Sequence, residues 1–531
     1  MPEQFKTQVS TKGMVVAPHY AAADAGLDIL KSGGNAIEAA IATAASLAVH
    51  YPHMTGIGGD AFWLIYDPED GVSFIEASGY SGSKITTDLY SGMETIPFRG
   101  KLAANTVAGA VSAWDLAYQK SQKEWGGTTS SKTLMQEAVD SATTGISVTQ
   151  SLAETLKEKA KELQADLPFS EVYYPEGKVL NEGDTLVQNA LGKTLEKLGK
   201  EGFDDFYRGE LASSIATDFS NREGYITQQD LENHQACWKP YLELETSKAT
   251  LFNASAPTQG VASLMILGLF DRWKEKLPKN DSADYVHLLV EATKIAFSHR
   301  NKMDTSASKE DLQKWLEPKY LDKLSQQIDL NKTHDWDEIT SPGDTTWFGV
   351  IDSKGRVVSA IQSIYHEFGS GFMLPSSGIV WQNRGCSFSL DTHHVRSLEP
   401  HKKPFHTLNP AIALFKDGRV MAYGTMGGDG QPQTQAAVYS RYAYYEDDLQ
   451  TAINKPRWLL GRTWGNASES LKLESRFSDS YEEALTEKGH EFEWLNPLDS
   501  VVGHAGALVL YPSSKIEGAT DPRSDGKAAG I

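Results

Sequence analysis

The sequence is poor in cysteine, short of basic charge and without a long apolar run. Only Cys237 and Cys386 occur in 531 residues, which excludes a disulfide scaffold and suits a reducing compartment. Lysine and arginine number 50 against 70 aspartates and glutamates, a net charge of −20. Such a surface repels phosphates and argues against a nucleic-acid partner. The alanine-rich run at residues 36–49 is too short to cross a bilayer, so it reads as a buried helix. Residues 1–13 are polar, with Glu3, Lys6 and Lys12 among them, and lack the apolar core of a secretory signal. A cytoplasmic protein with no membrane contact is therefore expected. The 14 histidines show neither HxxxH nor HExxH spacing, and the adjacent His393 and His394 would face different sides of a helix or strand. No metal and no cofactor are expected.

What is present is an ordinary soluble composition, 40% hydrophobic and 23% charged, long enough for several domains or one large layered unit. The 45 glycines fall in short clusters, not in repeats. Residues 14–17 read as a strand and 21–31 as a helix stopped by Ser32-Gly33-Gly34. Asn35 can cap the next helix, which runs to about His50. A turn-rich loop over 51–60 leads to a strand at 62–66. The middle, roughly 130–335, is mostly helical, with an amphipathic helix at 285–299 and a charged, exposed stretch at 309–332. Residues 331–344, ending in Ser341-Pro342-Gly343-Asp344, read as a surface linker that is easily cut.

Beyond the linker the pattern becomes hairpins. Residues 345–352 and 356–363 flank Ser353-Lys354-Gly355, with glycine where φ must be positive. Folding about Lys354 sets Thr345 opposite Ser363, give or take a one-residue bulge. A second hairpin, 409–415 and 419–425 around Lys416-Asp417-Gly418, brings Thr407 near Gly427. Small polar residues and glycines gather at one end of both hairpins, which is how a sheet builds a site at its rim.

Thr345 is the first chemical candidate. A threonine hydroxyl needs a base to become a nucleophile, and no Ser-His-Asp spacing is legible. A cut between Asp344 and Thr345 would free an α-amine on the same residue, with a pKa near 8 suited to that task. The plain alternative is a strand start, where threonine is common. Gly424-Thr425-Met426-Gly427-Gly428-Asp429-Gly430 could aim backbone N–H groups at a developing oxyanion; its plain alternative is a tight turn. No βαβ unit with a ribose-binding acid follows, so it is not a dinucleotide fingerprint.

Seven ordered motifs settle between these alternatives. They are Gly33-Gly34-Asn35-Ala36, residues 52–59, Phe206-Tyr207-Arg208-Gly209 with Asp230-Leu231, residues 285–292, Asp344-Thr345-Thr346, the pair 404–410 and 424–428, and Asp521-Pro522-Arg523-Ser524-Asp525-Gly526-Lys527-Ala528. With them the chain resembles the γ-glutamyltransferase family of N-terminal nucleophile (Ntn) hydrolases over nearly its whole length. The resemblance implies an α/β fold, a four-layer αββα sandwich. It implies self-cleavage into a large piece, 1–344, and a small piece, 345–531, which stay associated as one unit. A higher oligomer is compatible with this. By position, Thr345 matches the catalytic threonine, Ser363 the threonine that hydrogen-bonds it, and Gly427 and Gly428 the oxyanion-hole glycines.

The departures concern substrate. The family's glutamyl-binding arginine segment here reads Phe74-Ile75-Glu76-Ala77-Ser78, with no arginine. Tyr365, Arg384 and Ser387 stand where the family holds the glutamyl α-amine, and His406 and Thr407 replace its paired serines. Arg384 adds a positive charge where a cation would have sat. A small amide bearing a carboxylate fits this better, with Arg384 taking the carboxylate and Tyr365 shortening the pocket. This is similar to the oxamate amidohydrolase and acylase branch. The plain alternative for Arg384 is a salt bridge to a surface carboxylate. The rivals are a γ-glutamyltransferase or glutathione hydrolase with an altered pocket, and a non-catalytic scaffold.

Overall fold

The computed structural model describes residues 5–278, 281–335, 344–461 and 470–531. Two seven-stranded antiparallel sheets are built from strands of both halves of the chain. The first runs, edge to edge, Lys527–Gly530, Met14–Ala17, Asp344–Ile351, Val357–Tyr365, Asp60–Asp67, Gly71–Ala77, Cys237–Lys239. The second runs Gln8–Ser10, Ile516–Thr520, Ala505–Leu510, Val420–Thr425, Ala411–Phe415, Ala249–Asn253, Leu242–Glu245.

Strand alternation decides which residues face which layer. Trp347, Ile351, Val357 and Ile361 of the first sheet pack against Ile412, Ala422 and Leu508 of the second. Phe348, Val350, Val358 and Ala360 point the other way, into helices Tyr20–Lys31, Ala36–His50 and Ala110–Glu124. The second sheet's outer face carries Gly260–Trp273, Ala283–Arg300 and Gly430–Tyr444. Helix, sheet, sheet, helix is the four-layer αββα sandwich expected.

Local chemistry explains the elements that place the rim. Asn35 caps helix Ala36–His50 in a full capping box with Glu38, worth about 1 kcal/mol. That helix is buried along almost its whole length, which suits the alanine-rich stretch. Gly355 and Gly418 take φ of 76° and 87° in the two hairpin turns, a conformation open to glycine at little cost. Between the sheets Trp347 lies in a slot lined by glycines. A Cβ on Gly424 would stand 2.1 Å from its ring, and one on Gly506 2.5 Å. The indole therefore keys strand Asp344–Ile351 into strand Val420–Thr425, and so fixes the Thr345 end of one sheet against the glycine turn of the other.

Two expectations need correction. The segment 285–299, read as amphipathic, lies in helix Ala283–Arg300, which is buried on nearly every side because it sits between the second sheet's covering helices. Residues 309–332 are charged but not simply exposed: Leu312, Leu316, Leu321, Leu324 and Ile328 are buried, because helix Pro318–Ser325 and the turn before it pack on helix Gly260–Trp273, while helix Lys309–Gln313 packs on strand Leu242–Glu245. Most of the linker, residues 336–343, with Ser341-Pro342-Gly343, lies outside the described residues.

Candidate active site

Both hairpin registers agree with the sequence reading. Thr346 pairs with Gln362 and Asp344 with Tyr365, so Thr345 lies opposite the two residues Ser363 and Ile364, a one-residue bulge in the returning strand. Ser363 in turn pairs with Asp60 on the far side. Ala411 opposite Tyr423 extrapolates to Thr407 beside Gly427. Thr345 and Ser363 are 1% and 2% exposed, so the hydroxyls sit inside the uncut protein. The side-chain amide of Gln431 donates to Thr345 Oγ1 at 3.4 Å. Ser363 Oγ accepts the Tyr365 N–H at 2.8 Å, which holds Tyr365 at φ 82°, a costly conformation for a residue with a Cβ.

The glycine turn opens helix Gly430–Tyr444. Gly427 and Gly428 have φ of 117° and 51°. Their carbonyls accept the N–H groups of Gly430 (2.7 Å) and Gln431 (3.2 Å). Neither glycine's own N–H donates to another described residue. Two free N–H groups at a helix N-terminus, beside a buried hydroxyl, form a site for negative charge.

Arg384 stands at the start of a short 3-10 turn, Arg384–Ser387, with 1% of its surface exposed. Its guanidinium stacks on the Tyr365 ring at 3.7 Å. Among the described residues its guanidinium makes one hydrogen bond, from Nη2 to Thr407 Oγ1 at a long 3.4 Å, and Nη1 has no partner there. A salt bridge to a surface carboxylate is thus ruled out among the described residues. Burial, opposed by nearby acidic groups, lowers its pKa to about 10, still far above neutrality. An arginine kept charged in the interior without a carboxylate is costly unless a ligand supplies one. The Ser387 hydroxyl donates to the Phe405 carbonyl at 3.0 Å and is spent within the protein. Of Asp344 only the backbone is described, at the head of its strand.

Several site residues were not foreseen. Asp60 is fully buried; its Oδ1 accepts from the Gly79 and Gly109 N–H groups and from Gln382, each at 3.0 Å. Its Oδ2 lies 3.1 Å from Nε2 of His406, itself wholly buried. Burial raises the Asp60 carboxyl to about 7, and burial followed by the Arg384 charge drives His406 well below its usual range. The two facing atoms are close but make no hydrogen bond among the described residues. Gln259, Arg300 and Asp429 form a second buried network, from the end of helix Ala283–Arg300 to the glycine turn. Asp60 follows the Gly58-Gly59 motif and could have been singled out there; nothing in sequence spacing joins Gln259 or Arg300 to residue 428. Among the described residues one trio, His287, Glu291 and His490, has metal-ligand geometry. Glu291 is already occupied by Lys294, Thr333 and His334, so a lysine ammonium supplies the cation there.

A sandwich of this kind, with its polar rim at the head of a central hairpin, is the architecture that the resemblance to the N-terminal nucleophile hydrolases implies. Residues 22–531 match the family model described as gamma-glutamyltranspeptidase, and the chain belongs to that family. It is 49% identical over 99% of both chains to the oxamate amidohydrolase proenzyme of Klebsiella pneumoniae subsp. pneumoniae. It is 28% identical to the glutathione hydrolase proenzyme of Escherichia coli, over 97% of this chain and 90% of that one. The solved cephalosporin acylase from Bacillus halodurans superposes with a TM-score of 0.90 at 30% identity, covering 100% of this chain and 98% of that one. No described helix is long and apolar enough to cross a membrane.

Proposed function

We propose that the protein cuts itself between Asp344 and Thr345 and then hydrolyses a small amide bearing a carboxylate, oxamate being the simplest. The cut gives fragments 1–344 and 345–531 that remain one folded unit, because each sheet takes strands from both. The freed α-amine of Thr345 accepts the hydroxyl proton as Oγ1 attacks the amide carbon. The carbonyl oxygen becomes an oxyanion facing the Gly427 and Gly428 N–H groups. The amine returns the proton to the departing nitrogen, and ammonia leaves an acyl-threonine. Water, deprotonated by the same amine, adds to the acyl carbon; the bond to Oγ1 then breaks, Oγ1 takes the proton back from the amine, and the acid leaves. Ser363 orders the Thr345 hydroxyl. Thr407 and His406, with Arg384, line the substrate carboxylate's place.

The observation that carries the substrate class is Arg384, a buried guanidinium with an unpartnered nitrogen. It favours an acid over a γ-glutamyl ammonium group, and it agrees with the relative named for oxamate. The test is ammonia release from oxamate against turnover of a γ-glutamyl anilide. Faster anilide turnover, or a chain that remains uncut and inactive on both, refutes the proposal.

A further inference from the structure

The glycine turn carries no side chain with which to hold its own shape, and glycine peptides rotate at little cost. Yet an oxyanion site works only when its N–H groups are fixed before charge develops. What fixes this one comes from a distant part of the chain. Gln259 precedes helix Gly260–Trp273 and is completely buried. Its Nε2 donates one hydrogen to the Gly428 carbonyl at 2.8 Å and the other to the Thr407 carbonyl at 2.9 Å. Its Oε1 accepts Nη1 of Arg300 at 2.9 Å. The same Nη1 pairs with Oδ1 of Asp429 at 2.6 Å, and both residues are buried.

This arrangement leaves no freedom in the amide's orientation. A guanidinium can only donate, so the glutamine oxygen must face Arg300 and the NH2 group must face the two carbonyls. With the Gly427 carbonyl held by Gly430 and the Gly428 carbonyl held by Gln259 and Gln431, the peptides on both sides of Gly428 are pinned. Asp429, the next residue, is pinned by Arg300. The bond to Thr407 ties the rim of the second hairpin to the same point.

We propose that Gln259 is a positioning residue for the oxyanion site, and that Arg300 sets its orientation. The inference rests on Gly427 and Gly428 being the oxyanion donors, but not on the identity of the substrate. The test is Gln259→Glu in the full chain, which keeps the volume and an oxygen for Arg300 but sets a second oxygen against the Gly428 and Thr407 carbonyls, so that both donated hydrogen bonds are replaced by repulsion. Gln259→Met serves as a second variant should the first not fold, as judged by circular dichroism. Rates are taken per cut chain on whichever of oxamate and the γ-glutamyl anilide the wild type turns over faster, so a mistaken substrate leaves the test intact. We expect kcat to fall roughly 10- to 100-fold, somewhat less than loss of an oxyanion donor itself, with KM changed by less than about threefold. A carboxylate-bearing alkylboronic acid becomes tetrahedral when boron accepts the Thr345 oxygen pair; its inhibition should weaken by the same factor as kcat/KM. Oxalate, a planar product-like acid, should bind as before when oxamate is the substrate, and glutamate when the anilide is. A kcat within about twofold of wild type overturns the proposal. So does equal weakening of the boronic acid and the planar acid, because a general distortion of the pocket would act on both.

Discussion

Replacing Arg384 by methionine tests the substrate class most directly. Methionine fills much of the same space and can still lie against Tyr365, but it cannot pair with an anion. In the free protein the guanidinium makes one long hydrogen bond and one stacking contact. Its removal therefore takes away little and relieves a buried charge, so the thermal midpoint should hold or rise. With an acid substrate the balance reverses. A buried charge pair lost by truncation costs about 2–5 kcal/mol, which at about 1.4 kcal/mol per factor of ten lowers kcat/KM roughly 30- to 4,000-fold. A neutral amide of the same size should lose no more than about threefold, since stacking and volume are kept. The assay is a matched pair, oxamate and a neutral amide, with both proteins, alongside a melting curve. Equal losses on the two substrates would refute the carboxylate assignment. A drop of several degrees in the midpoint would show instead that Arg384 is paired within the protein.

Thr345→Ala should remain a single chain on a denaturing gel and release no ammonia, while purified wild type should show a small fragment whose N-terminal residue is Thr345 by mass spectrometry. Ser363→Ala should lower turnover about tenfold, the cost of one hydrogen bond to a reacting group; an unchanged rate would deny it that role. Asp60→Asn should flatten the pH dependence of stability measured by urea unfolding. The carboxyl is raised in the folded state to about 7 from about 4 in the unfolded chain. Its contribution is therefore fully present below about pH 4 and is lost as pH rises toward 7, by up to a few kcal/mol. A wild type whose stability relative to Asp60→Asn does not decline over that window would show that the carboxyl is not held protonated.

Much of the site was legible because hairpins are local. Lys354 and Asp417 at the turn centres determine which residues meet at the other end, and period-two alternation tells which of them face the second sheet. Thr345 with Ser363, and Thr407 with Gly427, followed from counting alone. The ordered motifs then supplied roles that counting could not. Residues 309–332 show the opposite case: their charge pattern concealed five buried apolar residues, because a helix with a narrow apolar face reads as polar when composition is averaged along it.

The sequence by itself determined the registers of the two hairpins, the Asn35 cap, the glycine turns and the place of the nucleophile candidate, all of which depend on residues near one another in the chain. Only the tertiary structure decided that Arg384 is buried without a carboxylate, that Asp60 faces His406, and that Gln259 and Arg300 grip residues 428 and 429. The physical reason is that the state of a polar side chain depends on desolvation and on partners. Here those partners are brought from distant parts of the chain by two sheets closing on one another, and no local period in the sequence records them.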